Sequence, residues 1–328
     1  MHKRLFLSSL LAASGAALTH AAQGAPATDA WPARPIRLIV PYPPGGTSDN
    51  LGRLVAERLG ANLHANVIVE NKPGGTTQIG TELAARSAPD GYTVLLGAVT
   101  AFTVLPHLRR RLPYDPKTSF DAIGGIAEYL SIVAVRKDLG VGTLAQLVKL
   151  ARAQPGQLTY GSAGLASFGH IAGEIIQRET GISLLHVPFK GSADAVAALA
   201  GAQVDMVIDG AAVPLIKAGR VVPLATFGNV RHPELPNVPS LPDTGFQIER
   251  PTGPSWALLT PRGTPASINA RLSLALQALL QEPETHARLR RISTLPDWRP
   301  PGELQQAILD DYRFYAQLLP RIGLQPEN

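Results

Sequence analysis

An α/β protein with largely parallel sheets is predicted by two features of the chain. Short β-branched runs alternate with amphipathic helical patterns from Pro35 onward, and Gly-rich turns join strand to helix at several of these junctions. Strands are expected at residues 36–40, 67–70, 92–96, 132–135, 158–160, 184–187, 204–208 and 256–259. Between them, helical spacing places Leu144, Leu147, Val148 and Ala151 on one face, and Ile171, Ala172, Ile175 and Ile176 on another. The stretch 231–254 carries Pro233, Pro236, Pro239, Pro242, Pro251 and Pro254, which cannot hold a helix and read as a crossing between domains. Helices are expected beyond it at 265–280, 284–292 and 302–319, with Pro265 and Pro283 at first-turn positions.

The first junction, Pro43-Pro44-Gly45-Gly46-Thr47-Ser48-Asp49, lies between an apolar strand and the helical run 51–59. Glycines allow close backbone approach, and the free N–H groups and positive dipole end of a helix start favour a carboxylate or phosphate. The same design recurs at Asn71-Lys72-Pro73-Gly74-Gly75-Thr76-Thr77-Gln78 and at Gly161-Ser162-Ala163-Gly164-Leu165-Ala166-Ser167-Phe168-Gly169-His170. None ends in Gly-Lys-Ser/Thr or reads Gly-x-Gly-x-x-Gly, so a nucleotide loop is disfavoured. Turns of this kind facing one another from two domains would form a clamp at the carboxyl ends of the strands.

Residues 1–24 read as an export signal: His2, Lys3 and Arg4 precede an apolar stretch, with small residues offering cleavage after Ala21 or Gly24. The chain has no cysteine, which excludes disulfides, thiolate metal sites and a lipid-bearing Cys. The net charge of +5, part of it from Lys3 and Arg4, is mild. Arg109-Arg110-Arg111 has no interleaved aromatics and runs into Leu112-Pro113-Tyr114, so it reads as a solvated loop rather than a nucleic-acid surface. The histidines are dispersed, without His-x-x-x-His spacing, and no metal site or cofactor is expected.

Ser162, Ser167 and His170 raise the question of a Ser/His hydrolase. No Gly-x-Ser-x-Gly elbow is present, and the spacing of Ser167 and His170 suits a helix cap with a first-turn histidine. Asp209 ends the apolar run 204–208, where it either caps the next helix or meets a ligand. Lys190 reads as a loop lysine near the same end of the sheet.

Several segments carry a resemblance together: Pro44-Gly45-Gly46-Thr47-Ser48-Asp49, Asn71-Lys72-Pro73-Gly74, Pro89-Asp90-Gly91-Tyr92-Thr93, Leu112-Pro113-Tyr114-Asp115-Pro116, Gly161-Ser162-Ala163-Gly164, His186-Val187-Pro188-Phe189-Lys190-Gly191-Ser192 and Gly201-Ala202-Gln203-Val204-Asp205-Met206. In this order they are similar to the Bug family of periplasmic solute-binding proteins, the receptor components of tripartite tricarboxylate transporters. The resemblance covers nearly the whole mature chain. It implies a two-lobed Venus-flytrap fold of type II, each lobe a mostly parallel sheet flanked by helices, with 25–130 plus 253–328 in one lobe and 131–252 in the other. It also implies periplasmic capture, without enzymatic chemistry, of a small di- or tricarboxylate, aromatic acid or amino acid for delivery to membrane permease subunits. Carried over by position, Tyr42, Gly45, Gly46, Thr47 and Asp49 would line the first lobe, and Ser162, Gly164, Ser167, His170 and Asp209 the second.

The chain departs from the family at Gly75-Thr76-Thr77-Gln78, at Leu165-Ala166 and at Gly97-Ala98-Val99-Thr100-Ala101-Phe102, each bulkier than usual there. Side chains from these segments are expected to intrude on the pocket and to favour a ligand with an apolar or aromatic body. The competing readings are a ligand sensor for a signalling partner, which would share the same pocket, and the Ser167/His170 hydrolase.

Overall fold

A computed structural model describes residues 31–246 and 254–326. The expected export signal, and the end of the Pro-rich stretch at 247–253, lie outside the described residues. The chain begins with β1 (Ile36–Val40), α1 (Thr47–Leu63), β2 (Val67–Asn71), α2 (Gln78–Ala85) and β3 (Thr93–Ala98). Two short helices, α3 (Thr100–Thr103) and α4 (Leu105–Leu108), lead to β4 (Phe120–Tyr129). Next come β5 (Ser131–Arg136), α5 (Leu144–Ala153), β6 (Thr159–Ser162), α6 (Phe168–Thr180), β7 (Leu185–Pro188), α7 (Ser192–Ala200), β8 (Met206–Ile208), α8 (Val213–Lys217) and β9 (Val221–Phe227). The chain then adds β10 (Trp256–Pro261), α9 (Ala266–Leu279), α10 (Pro283–Arg291), β11 (Thr294–Arg299) and α11 (Pro301–Arg321).

Two sheets result, ordered β11-β4-β10-β3-β1-β2 and β7-β6-β8-β5-β9. The two-lobed α/β class stands, but the sheets are mixed rather than mostly parallel. β1 pairs parallel with β2 and β3, and β6 with β7 and β8, whereas β10, β4, β11, β5 and β9 pair antiparallel. The physical reason is the passage between sheets. β4 runs through Leu130 directly into β5, and β10 returns from the second sheet into the first, so each enters against its neighbours.

The antiparallel strands β4, β9 and β11 are absent from the sequence reading, and each hides its pattern. β4 holds Gly124 and Gly125, where a Cβ would lie 2.3 Å from the Trp298 ring and 2.9 Å from the Arg299 side chain, so β11 can cross only over glycine. β11 contains Pro296 and β9 contains Pro223, and both strands lie at sheet edges, where proline is tolerated.

Apolar runs with buried faces set the cores. β3 is buried along its whole length, and α1 packs Leu51, Leu54, Val55 and Leu59 beneath the first sheet, each contributing roughly 2 kcal/mol by burial. The core of the second sheet takes in Leu105 and Leu108 of α4, and Tyr315, Leu318 and Leu319 at the end of α11. Among the described residues no helix is long and apolar enough to cross a membrane.

Candidate functional site

The turn from β1 into α1 is locked from behind. Gly45 has φ +91°, the left-handed region that favours glycine. Its N–H donates to the Asp49 carboxylate at 2.9 Å, which also accepts from Arg53 Nε at 3.0 Å and Asn71 Nδ2 at 2.9 Å. Burial raises the Asp49 pKa, but these donors outweigh it and hold the carboxyl below its ordinary value. Asn71 also donates to the Tyr42 carbonyl at 3.0 Å, and a Cβ on Gly80 would meet Pro41. The second Gly-rich turn therefore braces the first. Its Thr76 and Thr77 do not reach the cavity, contrary to the expected intrusion.

No side chain caps α1, and the N–H groups of Thr47, Ser48 and Asp49 find no acceptor among the described residues. Directly opposite, α7 starts after Gly191, also without a side-chain cap, leaving Ser192, Ala193 and Asp194 in the same condition. A Cβ on Gly46 would lie 3.7 Å from Ser192 Cβ and 3.9 Å from the Ala193 nitrogen, and one on Gly191 3.2 Å from the Pro43 ring. Two helix starts from opposite sheets thus meet across a closed cleft lined by Tyr42, Gly46, Thr47, Ser48, Ser192 and Ala193.

Behind the cleft lies a cavity sharing Tyr42, Thr47, Ser48 and Ser192 with it, with about 70 Å³ open to the centres of water-sized molecules, room for roughly five waters or a small acid. Its walls include a chain of edge-to-face rings: Trp256 to Tyr129 at 5.2 Å, then Tyr129 to Phe168 at 5.6 Å. Tyr129, from β4, donates its hydroxyl to the Asp209 carboxylate at the end of β8 and accepts from the Gly210 N–H at 2.7 Å. Asp209 also accepts from the Ala211 N–H at 2.9 Å, so it caps the turn and lines the cavity at once. Burial pushes the Asp209 pKa up against the lowering effect of these donors and of Ser192. Burial, then the Asp209 charge, pushes the Tyr42 phenol up to about 12.

The third turn is held by its own polar network. The Ser162 hydroxyl lies 2.7 Å from His186 Nε2 and donates to the Gly164 carbonyl, while His170 Nδ1 accepts from the Ala166 N–H at 3.1 Å. His186 stacks between Tyr160 at 4.8 Å and His170 at 4.2 Å. Ser167 accepts from the His170 backbone N–H, which is a helix cap. His170 Nδ1 is committed to Ala166 and Ser167 meets the His170 backbone rather than its ring, so the two are not arranged as the pair a hydrolase needs.

Burial lowers the pKa of His170 to about 3, reinforced by His186, and those of His186 and His232 to about 4. All three stay neutral in the folded chain where the unfolded chain takes up protons. Their stability contribution is intact above 6.5 and is lost as pH falls from there toward 4, by up to about 1.4 kcal/mol per histidine per pH unit. Asp209, with its raised pKa, works in the opposite direction but involves one proton against three. The melting temperature should fall steeply between pH 6.5 and 4.5, with a shallower slope in His186→Gln; a flat profile would contradict the buried neutral network.

Of the residues expected at the site, Tyr42, Thr47, Ser167 and Asp209 line the cavity, and Gly46 lines the cleft. Gly45, Asp49, Ser162, Gly164 and His170 line neither, and their contacts shape the turns. Leu165 and Ala166 also stay out, whereas Ala98, Val99 and Thr100 do reach the cavity wall. Tyr129, Ser192, Trp256 and Asp311 escaped the sequence reading. Ser192 had a signal, because Gly191-Ser192 precedes Ala195, Val196 and Leu199 at helical spacing, a fourth strand-turn-helix junction.

A family model described as "Tripartite tricarboxylate transporter family receptor" matches residues 51–323. A UPF0065 protein of Bordetella pertussis is 33% identical over 314 residues, covering 95% of this chain and 96% of that one. Among solved structures, R. palustris Rpa4515 with adipate superposes with TM-score 0.87 at 31% identity, covering 90% of this chain and all of that one. The periplasmic binding protein BugD gives 0.85 at 29%, with the same coverage. MatC from Rhodopseudomonas palustris with bound malate gives 0.80 at 26%, covering 88% and 99%. Family and fold are those of solute-binding proteins rather than enzymes. With the family model matching residues 51–323 and the Bordetella relative covering 95% of the chain, the chain belongs to the receptor family of the tripartite tricarboxylate transporters.

Proposed function

We propose that the α1–α7 cleft holds the carboxylate of a small organic acid, that the cavity behind it holds the acid's body, and that the closed, loaded protein is recognised by permease subunits of a tripartite tricarboxylate-type transporter. The observation that carries this reading is the meeting of two uncapped helix starts from opposite lobes. Their N–H groups offer charge-assisted hydrogen bonds, and both dipoles favour an anion at the same point. Adipate and malate in the solved relatives support the ligand class. Closure would turn 131–252 against 25–130 plus 253–328, with one crossing at Leu130. Periplasmic location follows from the export-signal reading of residues 1–24 and from the family.

Small carboxylic acids should raise the melting temperature at neutral pH while their primary amides do not. A ligand at 100 times its dissociation constant adds about 2.7 kcal/mol. Equal stabilisation by acid and amide would overturn the anion cleft.

A further inference from the structure

We infer that the ligand carries a single carboxylate, its far end neutral or cationic, and that Asp209 and Asp311 impose this selection. The inference rests on the reading of the cleft as the carboxylate site. Past the cleft, the cavity is walled by apolar and aromatic residues such as Val99, Phe168 and Trp256, and by the acidic residues Asp209 and Asp311. Asp209 and Asp311 are 4% and 3% exposed. Among the described residues no Lys, Arg or His side chain lines it. Asp209 is held in place by Tyr129 and the Ala211 N–H, while Asp311, on α11, acts electrostatically on Tyr315 and on Arg299, which does not line the cavity.

The field of the two carboxylates reaches the lining: the Asp209 charge helps raise the Tyr42 pKa, and the Asp311 charge that of Tyr315. One carboxylate at the cleft meets free N–H groups. A second, deeper in the cavity, would lose its water and lie beside two acidic side chains at low effective dielectric, with no cation among the described lining residues to meet it. A methyl or aryl end finds apolar walls, and an ammonium finds a favourable potential. Discrimination therefore comes from a repulsive element as much as from fit.

The test is calorimetric titration of the mature protein at pH 7.5 with hexanoate, 6-aminohexanoate and adipate, which share a six-carbon chain, and with benzoate, 4-(aminomethyl)benzoate and terephthalate for a rigid body. In at least one series the monoacid or amino acid should bind roughly tenfold or more tighter than the diacid. Thr100→Lys, which places a cation on the wall, should narrow or reverse that preference. Diacids binding as tightly as their partners in both series would overturn the inference and leave the cleft reading standing. Hexanamide or benzamide binding as well as its acid, or no binding by any of the acids, would overturn both.

Discussion

Gly46→Val is expected to weaken carboxylate binding by about 100-fold or more, while the free protein melts within about 2 °C of wild type. Gly46 has φ −87° and ψ 177°, extended backbone that valine adopts without strain. A Cβ there stands at ordinary contact distance from Ser192 and the Ala193 nitrogen, 3.7 and 3.9 Å away. Alanine therefore fits, and Gly46→Ala should bind within a few-fold of wild type. The γ-methyls of valine have no such room: they enter the space between α1 and α7 and hold the lobes apart. A closure penalty of about 3 kcal/mol lowers the competent population, and hence the affinity, by that factor of about 100. Titration calorimetry on both variants reads the outcome, and wild-type affinity in the valine variant would rule out the α1–α7 clamp.

Tyr129→Phe is expected to destabilise the protein by about 2–4 kcal/mol, because one hydroxyl serves two buried partners. Removing it takes the donor from Asp209 and the acceptor from the Gly210 N–H, at a point where Ser293 also bonds the Gly210 carbonyl at 2.7 Å. Ring packing on Trp256 and Phe168 is kept, so the loss reports the polar pair and not a cavity. Adding Asp209→Asn to the Tyr129→Phe variant should recover part of the loss, since it removes the buried charge left short of a donor. Urea unfolding of the single and double variants measures both. A change under about 0.5 kcal/mol in Tyr129→Phe would mean that water replaces the hydroxyl.

The strands β1, β3, β5, β8 and β10 were legible because apolar runs buried in a sheet leave a local pattern. The Gly-rich turns were legible because a left-handed residue such as Gly45 and a helix start such as Thr47 are adjacent in sequence. The edge strands β9 and β11 were not, since proline and charge at a sheet edge look like loop. β4 was not, since its glycines answer to Trp298 and Arg299, far along the chain.

The site divides along the same line. The sequence by itself determined the class of fold, the family and one uncapped helix start, all properties of contiguous residues. Only the tertiary structure decided which residues face the ligand space. It turned Asp49 and His170 inward to hold their own turns, made the second turn a brace, and brought Tyr129, Ser192, Trp256 and Asp311 to one cavity. The physical reason is that a pocket between lobes is defined by the crossing of separate sheets, and burial, field and contact there depend on distances that no stretch of neighbouring residues contains.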